Sequence, residues 1–281
     1  MTVGIVTDST CDLPAERVRD AGAVVVPLRL HFGDEEFRDR VDLDDRQFLA
    51  RLRRAQRPPT TSQPPPGDFE LVYRQLLRQP QDEVLSIHIA SHLSGTIGSA
   101  EIAARSVDPA RIHVVDSRSV SLGTGLQVLA AAELARSGHH AEEILPVLAS
   151  MPPRTGIVCL MDTLHYLELG GRIGRVRALL GSALSIKPLI GVGPDGQVLP
   201  IGRVRSRAAG IRRLDELLGE HKPLERLGVL FVGEPDEARR LWERARGTYP
   251  GMDILLQHAS PVLSSHSGPG TVAYCYLEAR S

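Results

Sequence analysis

Residues Leu85 to Ala104 form an apolar strand pattern, Leu85-Ser86-Ile87-His88-Ile89-Ala90, that breaks at Ser91-His92-Leu93-Ser94-Gly95-Thr96 and resumes as an amphipathic helix through Ala100, Ile102 and Ala103. A strand that feeds a helix, repeated along a chain, commits it to a mostly parallel sheet covered by helices, because parallel neighbours need a crossover. The repeat is present. Strand patterns at Gly4 to Thr7, Val24 to Leu30, Val84 to Ala90 and Ile112 to Val115 alternate with helical patterns at Ala15 to Asp20, Phe69 to Arg78, Ile97 to Arg105 and Leu126 to Ala135. Three strands end in polar residues, Asp8-Ser9-Thr10, Ser91-His92 and Asp116-Ser117, which predicts one polar rim at the carboxyl edge of the sheet, where open α/β sheets gather ligands.

From His31 to Pro66 the chain reads as irregular, with one charged helix at Asp44 to Ala55. There follow Pro58-Pro59, the hydroxyl cluster Thr60-Thr61-Ser62-Gln63, and Pro64-Pro65-Pro66. Proline holds such a segment extended and removes amide donors. The segment is therefore either a stiff linker or a pre-ordered row of ligand-facing hydroxyl and amide groups.

Met151-Pro152-Pro153 marks a boundary, so the 281 residues divide into two α/β domains, 1–151 and 152–281. In the second, a helix from Thr163 to Leu169 ends at Gly170-Gly171, and another covers Val176 to Leu184. Strands at Ile186 to Val192 and Gln197 to Gly202 flank the turn Gly193-Pro194-Asp195-Gly196. Helices at Ala208 to Leu218 and Asp236 to Arg246 then alternate with strands at Gly228 to Val232, Asp253 to Gln257 and Val272 to Leu277. This rhythm predicts an α/β layer with a mixed or antiparallel sheet.

Thirty-three basic and 34 acidic residues leave a net charge of -1, which removes the field that would draw the chain to nucleic acid. Cys11, Cys159 and Cys275 are odd in number and far apart, unlike disulfide frameworks or metal sites, and predict a reducing, cytoplasmic setting. No apolar run reaches the ~20 residues of a membrane helix, so membrane contact is at most transient.

Each chemical motif carries two readings. Ser94 is either an N-cap or an anion ligand, because the first amides of a helix lack internal acceptors and carry the positive end of its dipole. A Ser94-dependent acyl-ester hydrolase is weakened by the absence of a Gly-x-Ser-x-Gly elbow. Phosphate-binding and dinucleotide fingerprints are absent, and Thr7-Asp8-Ser9-Thr10-Cys11-Asp12 follows the first strand instead. Asp8 and Asp12 read as residues that hold this loop and cap the helix near Pro14. The ten histidines have no metal-ligand spacing. Arg172, beside Gly170-Gly171, is either solvated or an anion fork, and His266 in Ser264-Ser265-His266-Ser267-Gly268-Pro269-Gly270 is either a surface loop residue or a ligand contact.

Seven ordered motifs resolve these readings together: Val6-Thr7-Asp8-Ser9-Thr10-Cys11-Asp12-Leu13; Thr61-Ser62-Gln63-Pro64; Leu93-Ser94-Gly95-Thr96; Val115-Asp116-Ser117; Asp162-Thr163-Leu164-His165-Tyr166-Leu167 running into Gly170-Gly171-Arg172-Ile173; Ile186-Lys187-Pro188; and His266 with Gly268-Pro269-Gly270. Over essentially the whole chain they resemble the DegV family of fatty-acid-binding proteins. Ile97 and Gly98 depart from the tyrosine and polar residue common after Ser-Gly-Thr. The resemblance implies a carrier that holds one long-chain fatty acid between two domains and presents its carboxyl group to a separate ATP-dependent fatty acid kinase subunit, in the service of phospholipid synthesis. It implies no catalytic centre, metal or cofactor of its own. By motif position Thr61, Ser62, Ser94, Gly95, Thr96, His266 and Ser267 would meet the carboxylate, with Arg172, Arg205 and Arg207 at the head-group rim or kinase-docking surface. A fatty-acid-responsive regulator is the remaining alternative.

Overall fold

The computed structural model describes residues 2–179, 186–221 and 223–280. The first half runs β1 (Val3–Asp8), α1 (Ala15–Ala21), β2 (Ala23–Val26), β3 (Arg29–Phe32), β4 (Glu35–Arg38), α2 (Asp45–Arg54), β5 (Thr60–Ser62), α3 (Pro66–Leu76), β6 (Glu83–His88), α4 (Thr96–Val107), β7 (Ile112–Asp116) and α5 (Leu122–Arg136). Four strands form a parallel sheet in the order β2-β1-β6-β7, with helical crossovers as the alternation predicts. Local chemistry sets several helix ends. Asp44 and Gln47 exchange reciprocal bonds at the start of α2, Pro66 opens α3, and Gly22 closes α1 at a φ of 64°.

Two expectations are corrected here. The strand read from Val24 to Leu30 is two strands in two sheets: β2 ends at Val26, and β3 begins at Arg29 beyond Pro27, which has no amide to donate to a continuing ladder. The stretch from His31 to Pro66 is only partly irregular, because β4 and β5 both pair antiparallel with β3 in a small sheet of order β4-β3-β5. The hydroxyl cluster is therefore a strand held by backbone hydrogen bonds.

The second half contains α6 (Ala141–Ala149), β8 (Thr155–Leu160), α7 (His165–Leu169), β9 (Lys187–Val192), β10 (Val198–Val204), α8 (Arg207–Glu220), β11 (Leu224–Phe231), α9 (Asp236–Thr248), β12 (Ile254–His258), α10 (Pro261–Ser267) and β13 (Val272–Glu278). Its sheet runs β10-β9-β8-β13-β11-β12, antiparallel except for the β11/β12 pair. The helix expected over Val176 to Leu184 is a 3-10 helix at Gly174–Leu179, and positions 180–184 of that expectation lie outside the described residues. The segment expected as a loop around His266 is instead α10, with His266 in the last turn of a helix capped by Ser260.

The two halves share one core through α5. Leu122 and Leu126 pack in a cluster with Leu85 and Ile87 of the parallel sheet and with Ile157, Cys159, Ala273 and Cys275 of the mixed sheet. Its buried run, Leu122 to Val128 and Ala130 to Ala132, goes around the helix, as expected for a helix enclosed on all sides. Close approach needs glycine: a Cβ on Gly125 would lie 2.5 Å from the Cys11 carbonyl oxygen and 2.9 Å from the Leu13 side chain. Gly125→Ala should therefore destabilise the fold by roughly 2–3 kcal/mol. Gly219→Ala, in α8 with open space around it, should stabilise by about 0.5–1 kcal/mol. Urea denaturation of both variants checks the contrast.

Candidate functional site

A cleft lies between the two halves. The mixed sheet contributes an apolar wall from Ile157, Cys159, Ile190, Leu230 and Ala273, α10 adds Val262 and Leu263, and Leu28 and Ile89 face them from the first half. Its polar lining includes Thr61, Ser62, Gln63, Ser94, Arg172, His266 and Ser267. A cleft of this composition suits an elongated apolar ligand with one polar end.

The polar groups are joined through direct contacts. Strand alternation in β5 sends consecutive side chains to opposite faces. Thr61 Oγ1 lies 2.8 Å from His266 Nε2, whereas Ser62 Oγ pairs with His31 Nε2 at 3.0 Å. Gln63 rests its amide against Gly95, where a Cβ would lie 3.1 Å from it. Beyond β6 the chain turns through Ser94, whose Oγ accepts from the Thr96 amide at 3.3 Å and pairs with the Thr96 hydroxyl at 2.8 Å. Gly95 is the N-cap of α4, and neither it nor Thr96 lines the cleft. The Gly95 and Ile97 amides have no acceptor among the described residues, which leaves the start of this helix open to an anion.

Arg172 ties this turn to the second half. Its Nε donates to the Leu93 carbonyl at 3.1 Å and its Nη1 to Gly170 at 2.7 Å. His266 packs directly on the Gly170 backbone, so a side chain at 170 would overlap the imidazole. Gly268 follows at a φ of 77° against the Tyr166 ring, a position closed to other residues by both conformation and space. Burial and the nearby Arg172 guanidinium push His266 down to about 4, so its ring is uncharged at neutral pH. Its Nδ1 is buried without a partner among the described residues.

The remaining rim residues stand apart. Arg205 is exposed, and Arg207 is bound to Glu237 and lies 3.4 Å from Asp162, which also pairs with Lys187 at 2.8 Å. Neither arginine lines the cleft. A Ser-His-Asp succession does exist, but away from Ser94: Ser86 Oγ lies 2.7 Å from His88 Nε2, and His88 Nδ1 lies 3.0 Å from Asp8. All three are fully buried, and the Tyr73 hydroxyl also binds Ser86 at 2.8 Å, so the relay holds β1 to β6 without access for a substrate. Asp8 also caps the short helix at Ser9–Cys11. Asp12 does not cap α1, whose N-cap is Pro14; it reaches instead to Ser121 and Ser260. Among the described residues no group of three or more His, Cys, Asp or Glu side chains is placed to hold a metal. Burial pushes the cleft thiol of Cys159 up to about 12, which makes it a neutral, inert wall group.

With this geometry established, comparison with known proteins is decisive. The family model described as "Uncharacterised protein, DegV family" matches residues 2–279. The chain belongs to the DegV family. A DegV domain-containing protein of Deinococcus radiodurans is 38% identical over 97% of both chains. Among solved structures, that of a Thermus thermophilus DegV family protein, which concerns fatty acid binding, superposes with a TM-score of 0.90 at 34% identity, covering 99% of this chain and 100% of that one. DegV of Bacillus subtilis, a fatty acid binding protein, gives 0.89 at 31% identity, covering 99% and 100%.

In this DegV chain, sequence motifs anticipated Thr61, Ser62, Ser94, Arg172, His266 and Ser267 on the cleft wall, but not Ser121 or Thr271, nor His31, which stands behind Ser62 without lining the cleft. His31 meets Ser62 only through β3/β5 pairing between distant segments, for which no local signal exists. An NMR titration should place the His266 midpoint near 4. Arg172→Gln should raise it without restoring an ordinary value, because burial is the larger cause. The uncharged ring also makes acid unfavourable: stability present above ~6.5 should decline as pH falls toward 4, by on the order of 3 kcal/mol in total.

Proposed function

We propose that this protein holds one long-chain fatty acid between residues 1–151 and 152–281, with the carboxylate in the polar bay and the chain along the apolar wall. It then presents the carboxyl group to a separate ATP-dependent kinase subunit. The observation that carries the reading is the Thr61–His266 bond, 2.8 Å across the two halves, bordering a cleft that also contains Ser94 and a long apolar wall. Relatives known for binding fatty acids at 34% and 31% identity support the same ligand class.

The energetics divide between the two ends. Burying ~14 methylenes at ~0.8 kcal/mol each is worth on the order of 11 kcal/mol before association costs, so the tail supplies affinity. A carboxylate is costly to bury unless donors satisfy it, so the head group fixes orientation. Thr61, Ser62, Ser94 and the α4 amides supply uncharged donors, which serve a carboxylate and an acyl phosphate alike. Arg172 belongs with this bay more than with a docking surface, because it lines the cleft. Arg205, exposed beside Arg207, is the stronger docking residue.

In this reading the protein is a carrier without its own catalytic centre: Ser94 bonds to the Thr96 hydroxyl and amide, and no imidazole is among its hydrogen-bond partners in the described residues. None of the described helices is long and apolar enough to cross a membrane; the setting proposed for the carrier is the cytoplasm.

Calorimetric titration with palmitate should show Ser94→Ala and Thr61→Val each weakening binding by roughly 10–150-fold, the scale of one lost hydrogen bond to a charged group, in variants that remain cooperatively folded. Unaltered affinity in both would remove the carboxylate from the bay. Arg205→Glu should leave palmitate binding intact and lower phosphorylation by the partner kinase. Ester hydrolysis that vanishes in Ser94→Ala would instead establish the hydrolase.

A further inference from the structure

Behind the fatty-acid cleft, three of the four non-glycine residues with left-handed backbone among the described residues converge: Asp12 at a φ of 51°, Arg40 at 59° and Ser121 at 56°. Such conformations persist where surrounding contacts enforce them. Asp12 Oδ2 accepts from the Ser121 hydroxyl at 2.7 Å, and Oδ1 accepts from the Ser260 amide at 2.8 Å with Arg40 Nη2 at 3.4 Å. Asp39 Oδ1 accepts from the Val262 amide at 3.2 Å, and Arg40 also donates to the His258 carbonyl. The first turn of α10 is thus held by two carboxylates that come from the loop after the short Ser9–Cys11 helix and from the turn after β4.

This placement bears on the cleft. α10 contributes Val262, Leu263, His266 and Ser267 to the wall, Ser121 lines it, and the β3-β4-β5 sheet brings Thr61 and Ser62. Moving α10 away from the small sheet would break the Thr61–His266 bond and expose the apolar wall. The joint is the point at which those two elements and α5 are fastened together.

Its charges do not balance. Asp12, Asp39 and Asp45 face one guanidinium, Arg40, with Asp44 bordering Asp45. His258 lies 3.4 Å from Asp45 through Nδ1, which also meets the Ala259 carbonyl at 2.7 Å, and its Nε2 meets the Gly233 amide at 3.0 Å. Cys11 and Cys275 pack beneath, and burial raises both thiols, so they add no charge. Arg40 Nε and Asp45 Oδ1 are 4.0 Å apart, and both are buried without a hydrogen-bond partner among the described residues. Asp12 and Asp39 are almost wholly sealed from solvent, at 1% exposure each. Desolvation raises Asp12 to about 7 and Asp39 to about 6, against the attraction of Arg40.

We propose that Asp12, Asp39 and Arg40 form a proton-linked joint that sets the position of α10, making Asp12 and Asp39 positioning residues that govern opening of the fatty-acid cleft. The direction follows from linkage. The closed joint binds a proton more tightly than an opened, solvated carboxylate does, so protonation favours closure, and that advantage is lost as pH rises through 7. Opening of α10, and with it exchange of ligand, becomes easier from pH 5.5 to pH 8. The His266 ring, held down to about 4, is outside this window.

Control of fatty-acid exchange rests on the function proposed above, but the joint itself is testable without ligand. Amide hydrogen exchange of Ser260, Val262 and Leu263 in the ligand-free protein, corrected for intrinsic rates, should lose protection by at least roughly tenfold between pH 5.5 and 8. Asp12→Asn retains an acceptor for Ser260 but cannot titrate, and should reduce that change to within about fivefold; Asp39→Asn, which removes the carboxylate that titrates lower, should reduce it by a smaller factor, about fourfold. A flat wild-type profile, or an unchanged slope in a folded variant, overturns the joint. With the slope confirmed, release of a fluorescent fatty acid should be faster at pH 8 than at pH 5.5 in the wild type, and equal release rates would remove its control of the cleft.

Discussion

The architecture depends on a helix that has no solvent side. From Leu122 to Ala132 α5 is buried on nearly every side, Thr124 and Gln127 included, and a sheet covers it on each face. The parallel sheet closes on it through Leu85 and Ile87, the mixed sheet through Ile157 and Cys275. Two layers that could have been separate domains are thereby fixed face to face, and the cleft is the space between them that side chains do not fill. Ile157 and Cys159 belong both to this core and to the cleft wall, so the packing that stabilises the fold also shapes the chamber.

A chamber of that kind creates an electrostatic demand. An anion at its mouth must be given donors, and a permanent charge buried to meet it carries its own desolvation cost. The protein answers largely with neutral groups: hydroxyls of Thr61 and Ser94, open amides at α4, and a His266 ring kept uncharged by burial and by Arg172. Among the described residues Arg172 is the one full charge on the cleft wall, and two backbone carbonyls already occupy part of its fork. Thr61 and His266 are 205 residues apart, so the bay exists only when both halves are assembled.

Local pattern carried much of this into view. The strand-to-helix alternation specified the parallel sheet, and the Gly193 to Gly196 turn specified the β9/β10 hairpin, because both depend on short-range periodicity and turn chemistry. Motif order brought Thr61, Ser94, Arg172 and His266 together. What escaped was tertiary. Pro27 looked like a residue within one apolar run, although it is the point where the chain leaves one sheet for another. β4 is too short and charged to announce itself, and it exists through pairing with β3. α10 is seven residues of mostly serine and apolar character in front of a glycine turn, and its N-terminus is held by Asp12, 248 positions earlier than Ser260. No window along the sequence contains such a contact.

The central claim is that the bay and the apolar wall form one site for one long-chain fatty acid. Native mass spectrometry of the gently purified protein tests it most directly. The account predicts a single added mass in the range of a long-chain fatty acid, lost on denaturation and exchangeable for added palmitate. A ligand-free protein that also fails to take up palmitate or oleate at any ratio would contradict it.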